Sequence, residues 1–381
     1  MRRPSRIRAL AGAAGAVAAL TAAALPAAAG AQQAPACRLD PGQQVQTSTH
    51  PLRGLFDAYG SSNRRLDDWT GGDNTASVKL PDGRTAWIFA DTFLDRVNPD
   101  GSRSEEDFVN NSIVLQRGNR LYKTLHGGTP RRWSTLIQTD DGHQADGKSE
   151  VGDSWYWVNG ATLDGGKLQV FVNKYWMFSD ELFGFEWLGN AVATFSLPSM
   201  RLESVRQIVS ADGVTWGSTV VDDGGWKYVY GNKDQSLMLA RARAGDLLGR
   251  WQYWTGSGWS IHYRDARPLF HGVGTAIGIE KVGDAWVLVT FDNRGFVPAE
   301  IVAYSSCSLT GPWGDPTLVY RTPETGGNLF TYDVRLHPQF ERDGKLVLSY
   351  NVNSFVYQDL MDDVSIYRPR FLEVTLPRLV P

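Results

Sequence analysis

Asp82-Gly-Arg-Thr-Ala-Trp-Ile-Phe89 reads as a tight turn followed by a β-strand, and the pattern returns four times. The other copies are Asp164-Gly-Gly-Lys-Leu-Gln-Val-Phe171, Asp223-Gly-Gly-Trp-Lys-Tyr-Val-Tyr230, Val282-Gly-Asp-Ala-Trp-Val-Leu-Val289 and Asp343-Gly-Lys-Leu-Val-Leu-Ser-Tyr350. Asp-Gly and Gly-Gly between β-rich runs are strong hairpin signals, because such turns need residues that tolerate positive φ. The marker glycines Gly83, Gly166, Gly225, Gly283 and Gly344 are 83, 59, 58 and 61 residues apart. Three near-equal intervals and one with an insertion describe blades of a β-propeller. WD-type blades, at roughly 40–45 residues, are too short. A jelly roll or sandwich does not predict five equal hairpins. Gly249-Arg-Trp251 and Gly311-Pro-Trp313 mark the same turn before outer strands. The expected fold is all-β, a five-bladed β-propeller of four-stranded blades.

Composition removes other classes. The 381 residues carry 38 Lys+Arg against 41 Asp+Glu, a net charge of −3 with no basic block, so no nucleic-acid footprint exists. Arg2, Arg3, Arg6 and Arg8 precede an Ala/Leu/Val-rich run from Ala9 to Leu25, and Pro26-Ala-Ala-Ala-Gly-Ala31 follows. That order of basic, apolar and small residues predicts a signal peptide over 1–31, cleaved near Ala31, and a secreted domain over 32–381. Removing four Arg leaves an acidic mature chain, net −7. No later stretch is long and apolar enough to span a membrane. Two cysteines, Cys37 and Cys307, most simply form a disulfide in an exported protein, pinning the N-terminal arm where the ring closes. No cofactor is expected, a bound metal is left open, and a monomer is favoured.

A hairpin brings residues equidistant from its turn to one end. Asp73 precedes Asp82 by nine positions and Asp91 follows it by nine, so both belong at one rim, opposite or one step off. The corresponding ends of the other blades carry Trp155, Trp157, Asn173 and Lys174; then Thr215, Trp216, Asn232 and Lys233; then Thr275, Asp292 and Asn293; and finally Asp333, Asn351 and Asn353. Asn74 adjoins Asp73. Acids, amides and indoles around one pit suit a neutral polyhydroxylated ligand: carboxylates do acid/base work, amides bind hydroxyls, and indole faces cover C–H surfaces. The insertion from Glu105 to Val158 is long enough to lie over this rim. It carries His126, Asp140, Asp141, His143 and Asp146, read as solvated charges, with Glu150 and Asp153 leading into the blade-two strand. Glu186 is a further acid among aromatics. His337 is expected on the inner strand of blade five, as a core histidine before a pit-lining one. No Gly-x-Ser-x-Gly elbow and no His-Glu-x-x-His is present.

Trp69-Thr-Gly-Gly-Asp73, the run from Leu80 through Asp91 to Leu94, Tyr332-Asp-Val-Arg-Leu-His-Pro338 and Leu348-Ser-Tyr-Asn-Val-Asn353 together resemble a secreted family catalogued as domain of unknown function 4185. Its members are assigned to glycoside hydrolase family 183. The resemblance implies a five-bladed propeller that cleaves internal α-D-arabinofuranosyl linkages in the arabinan of cell-wall arabinogalactan and lipoarabinomannan. It implies that Asp73 and Asp91 are catalytic carboxylates, with Asp333, Glu150, Asp153 and Asp292 as candidates for a third acid. Two carboxylates suffice for glycoside hydrolysis, and their separation sets retention or inversion. If Asp73 and Asp91 are direct neighbours, one modulates the other's pKa and a partner comes from another blade. The rival readings are another furanosidase, exo-acting or fructan-cleaving, and a non-catalytic sugar-binding propeller.

Overall fold

Alternating and continuous β-type runs fold here because the second strand of each hairpin is buried along its middle, in blade one on both faces throughout. In Arg84–Phe89 every residue is buried, so the run reads as nearly continuous hydrophobicity. The computed structural model describes residues 36–103, 108–140, 150–181, 183–208, 213–295 and 298–381. The leader, Glu105, Asp141, His143 and Asp146 lie outside the described residues.

Five antiparallel sheets follow in chain order. Blade one contains Ala76–Lys79, Arg84–Phe89, Ser112–Arg117 and Arg120–Leu125. Blade two is Ser154–Asp164, Lys167–Met177, Phe185–Ser196 and Arg201–Ile208. Blade three starts with Thr215–Asp223, Trp226–Lys233 and Ser236–Arg243 and adds Gln252–Trp254 and a short fifth strand, Trp259–Ser260. Val273–Val282, Ala285–Asp292, Glu300–Ser306 and Thr317–Arg321 make blade four. Blade five takes Leu329–Leu336, Leu346–Ser354 and Arg370–Thr375 from the C-terminal region and Gln46–Thr49 from the N-terminal one. All five marker glycines occupy the left-handed region, with φ from +56 to +85, as the turns require.

Five of the six core clusters among the described residues sit one at each interface between neighbouring blades, and the sixth gathers Phe93, Leu360, Met361 and Tyr367 beside blade one. Ile88 and Ile113 meet Val158 and Val170 between blades one and two. Phe171 meets Trp216 and Val229 between two and three, and Leu239 meets Ile277 and Leu288 between three and four. Val289 and Ala303 face Leu348 and Val352 between four and five. Trp87 and Val114 face Val347 and Phe371 between five and one. This last interface closes the ring, and helix Leu52–Gly60 wedges Phe56 into it against Trp69, Trp87, Phe89 and Phe371. The Cys37–Cys307 disulfide, with Cα atoms 5.1 Å apart, ties the N-terminal arm beside the third strand of blade four. Arg38–Leu39 pairs with Leu379–Val380 next to it.

Part of the expected insertion is blade one itself, since residues 112–125 are its two outer strands. The extra length lies in a small sheet of Gly71–Gly72, Thr92–Phe93 and Phe108–Val109, and in the ribbon Gly127–Thr129 with Arg132–Ser134. No helix among the described residues is long and apolar enough to cross a membrane.

Candidate active site

Four of the five inner strands shift register at the same level, and the fifth loses its pairing there without a shift. Pairing shifts between Val158 and Ala161, Trp216 and Thr219, Val273 and Ile277, and Tyr332 and Arg335. In blade one the break is Asn74-Thr75, both at positive φ. A bulge frees backbone groups from the ladder and re-aims side chains. Here the bulged segments converge on Arg335. Its guanidinium donates to Asn74 O (3.2 Å) and Asn159 Oδ1 (3.1 Å), and also to Asn74 Oδ1 and Ser218 O. Asn74 Nδ2 donates in turn to Asn159 O at 2.8 Å. One buried cation thus joins blades one, two, three and five at the axis.

Above Arg335 opens a cavity of about 630 Å³ to which all five blades contribute. Blade one supplies Asp73 and Asp91. The pairs Gly72↔Thr92 and Ala76↔Ile88 keep one register across the break, and Asp73 N donates to Asp91 O at 3.2 Å. The two acids are therefore direct cross-strand neighbours. Trp157, Asn173 and Tyr175 come from blade two, Thr215 and Asn232 from blade three, Thr275 from blade four, and Tyr332, Asp333 and Asn353 from blade five.

The three acids differ in their partners. Asp73 Oδ2 accepts hydrogen bonds from Tyr332 and Tyr367 hydroxyls, both at 2.7 Å, while its buried Oδ1 has no partner. Asp91 Oδ1 accepts from Trp157 Nε1 (2.6 Å) and Asn110 Nδ2 (3.3 Å). Asp333, in the left-handed region at φ +53, accepts from Thr275 Oγ1 at 2.6 Å. Burial, then the charge of Asp333, raises Asp73 to about 7, against the pull of the two phenols. Burial and the charge of Asp73 hold Asp91 well above the carboxylate range. Asp333 is raised by burial, with Arg335 pulling the other way. Arg335 is itself lowered to about 10 by burial, yet stays protonated and supplies the local counter-charge. Like charges this close cannot all ionise cheaply, so the cluster favours retaining a proton that Asp73 and Asp91 titrate together.

Of the residues expected at this rim, Asp73, Asn74, Asp91, Trp157, Asn173, Asn232 and Asp333 line the cavity. Others do not. Trp155 lies one step outward from Trp157 and is buried against Tyr175 and Phe185, 6.2 and 5.9 Å between centroids. Trp216 points between blades two and three, onto Trp251 and Tyr253. Asn351 is buried between blades five and one, where its Nδ2 donates to Thr75 Oγ1 (3.0 Å) and Gly72 O (3.3 Å). Asp292 is neutralised by Arg294, whose Nε lies 2.7 Å away. Glu150 and Asp153 form a turn, with Glu150 N donating to Asp153 Oδ2 at 2.8 Å, and neither lines the cavity. His337 is fully buried below the cavity between Ser77 Oγ (2.6 Å) and Ser349 Oγ (2.8 Å), and burial lowers it to about 3. Arg335, Tyr332 and Tyr367 are not legible as site residues: their partners lie 117 to 294 positions away, and only the closed ring brings them in.

The sequence profile of a domain of unknown function, DUF5005, matches residues 55–376, nearly all of the ring. The chain belongs to the DUF5005 family. This is not the family that the motifs resemble, so domain 4185 stands as a likeness of those motifs alone. No curated protein matches the sequence. Among solved structures, a Bacteroides ovatus protein provisionally classed as a hydrolase superposes with a TM-score of 0.75 at 24% identity, covering 89% of this chain and 93% of that one. The α-L-arabinofuranosidase of Podospora anserina gives 0.48 at 9% identity, over 83% and 94% of the two chains. An exo-β-1,3-galactanase of Phanerochaete chrysosporium gives 0.46 at 12%, over 81% of this chain and 63% of its own. At 24% identity the likeness to the Bacteroides ovatus protein is one of fold alone. Among the described residues no group of three or more His, Cys, Asp or Glu side chains is placed to hold a metal ion.

Proposed function

We propose that this DUF5005 chain is a secreted glycoside hydrolase that cleaves internal α-D-arabinofuranosyl linkages of cell-wall arabinan. The observation that carries the reading is a pair of adjacent carboxylates of unlike surroundings, in a cavity walled by amides and aromatic rings. Asp91, bonded to Trp157 and Asn110 and raised by burial, is the general acid on the leaving oxygen in this reading. Asp73, whose anion is stabilised by two phenol hydroxyls and whose Oδ1 has no partner, acts on the sugar carbon directly or through water. Asp333 faces Asp73 from blade five and sets its pKa. Three acids disfavour an anionic polymer and accept hydroxyl hydrogen bonds, which fits a neutral sugar chain. Export belongs to the same reading, because a disulfide persists in oxidising compartments.

The test is digestion of purified arabinogalactan with products sized by chromatography. A ladder of oligosaccharides is expected. Single arabinose would move the assignment to an exo-acting furanosidase, and release from fructan but not arabinan would change the sugar. Binding without release from any of these would leave a carbohydrate-binding propeller.

A further inference from the structure

Two chains of aromatic rings run outward from the acids to the protein surface. From Asp91 the first passes through Trp157, which donates to it at 2.6 Å, to Phe185 at a centroid distance of 4.9 Å, and to Phe183 at 6.2 Å. Phe183 is 60% exposed. From Asp73 the second passes through Tyr332, which donates at 2.7 Å, to Phe330 at 5.4 Å, and to Phe355 at 4.5 Å. Phe355 is 44% exposed. The first chain belongs to blade two and the second to blade five, the two neighbours of blade one, which carries Asp73 and Asp91.

Single exposed apolar side chains are ordinary on a protein surface. These two differ in being end links of packed chains that begin at the acids. Hydrogen bonds of described neighbours flank both rings. Phe178 N and Ser179 N both donate to Gly184 O, at 2.9 and 3.1 Å, closing the loop that presents Phe183. Phe183 itself sits at φ +65, a region that bulky side chains rarely occupy, and strain of this kind gathers at ligand sites. On the other side Phe355 N donates to Asn328 O at 2.9 Å, while Ser354 Oγ and Asn328 Nδ2 both donate to Asp359 Oδ2. Rings fixed in advance lose little entropy when a ligand stacks on them.

We infer that Phe183 and Phe355 are sugar-stacking platforms on either side of the cleavage point, so that a linear neutral furanoside chain lies from blade two across blade one to blade five. The inference rests on the proposed activity and deepens it, because a chain held on both sides of the acids is cut internally. It is tested by calorimetric titration of linear α-arabinofuranosyl oligosaccharides of increasing length, alongside hydrolysis kinetics on the same probes. Affinity is expected to rise with length until both platforms are spanned. Phe183→Gly, chosen to suit the positive φ, and Phe355→Ala are each expected to weaken binding and raise KM for long probes about tenfold. The kcat should stay near wild type, short probes should be unaffected, and Phe355→Tyr should restore affinity. Affinity independent of length, no binding at any length, or variants that bind long probes as wild type does would overturn the inference. Length-dependent binding that the variants lose, with no hydrolysis by the wild type, would uphold the platforms and sink the catalytic reading.

Discussion

Asp82 and Asp91 stand at opposite ends of one hairpin strand, and the same side chain meets opposite physics there. At the turn end Asp82 accepts from Arg84 Nε at 2.7 Å and from Arg84 N at 3.1 Å, and these bonds hold its carboxyl below the usual range. At the cavity end Asp91 and its neighbour Asp73 have no basic partner in contact, and burial raises both, joined at Asp73 by the charge of Asp333 and at Asp91 by the charge of Asp73. The turn rim keeps its charges paired and near water, as Lys345 with Glu373 at 2.7 Å and Lys167 with Glu203 at 3.0 Å also show. The cavity rim crowds acids out of water at a cost to stability. Such a cost persists where it serves chemistry, so the contrast between the rims locates function more sharply than the acid count of either.

The sharpest way to break this contrast is to neutralise one acid at each end. Asp91→Asn and Asp73→Asn are each expected to lower kcat by about 10³-fold on arabinan, whereas Asp82→Asn leaves it unchanged. Stability should move in the opposite sense. Because the folded pKa of Asp91 exceeds the unfolded value near 3.9, the folded state binds the extra proton, and stability falls as pH rises from about 4 through the folded pKa. Asp91→Asn should therefore melt above wild type at roughly pH 8, with the gain vanishing near pH 4. Asp82 contributes with the other sign, above about pH 4 only, and its exposed pair limits the loss in Asp82→Asn to about 0.5 kcal/mol. A wild-type-like kcat in Asp91→Asn would remove the catalytic assignment.

Next in size is the cation beneath the acids. Arg335→Met strands carbonyls of three blades and removes the counter-charge to Asp73 and Asp333, a loss of about 3–5 kcal/mol by chemical denaturation. A loss below about 1 kcal/mol would show that the bulges hold without it.

Asp333→Asn gives the smallest effect and the finest reading. With that negative charge gone, Asp73 ionises at lower pH, so the acidic limb of the kcat–pH profile, expected near 7, moves down. An unmoved limb would assign it to a different group.

The hairpins were legible because Asp-Gly and Gly-Gly turns are local chemistry, and Asp73 opposite Asp91 followed from counting outward from one turn. Long-range partners were not. Alternation puts Trp155 and Trp157 on one strand face, yet only the inner position reaches the cavity, and the packing of Tyr175 and Phe185 decides which. Trp216 and Asn351 sit at the expected level but point into the interfaces of neighbouring blades, a direction set by the bulges. The profile of Arg335 in the sequence is that of any strand arginine.

Arg335 also decides how a polymer can travel. Beneath it a second space of about 120 Å³, lined by Gly160, Ser218 and Gly278 among others, continues along the axis. With the guanidinium bonded to carbonyls on several sides, the ring is a cup with a floor, not a pipe. A strand fed to the acids cannot thread through and be reeled in. On the proposed activity it must arrive and depart over the same open face, and each cut end would leave by the way the strand came.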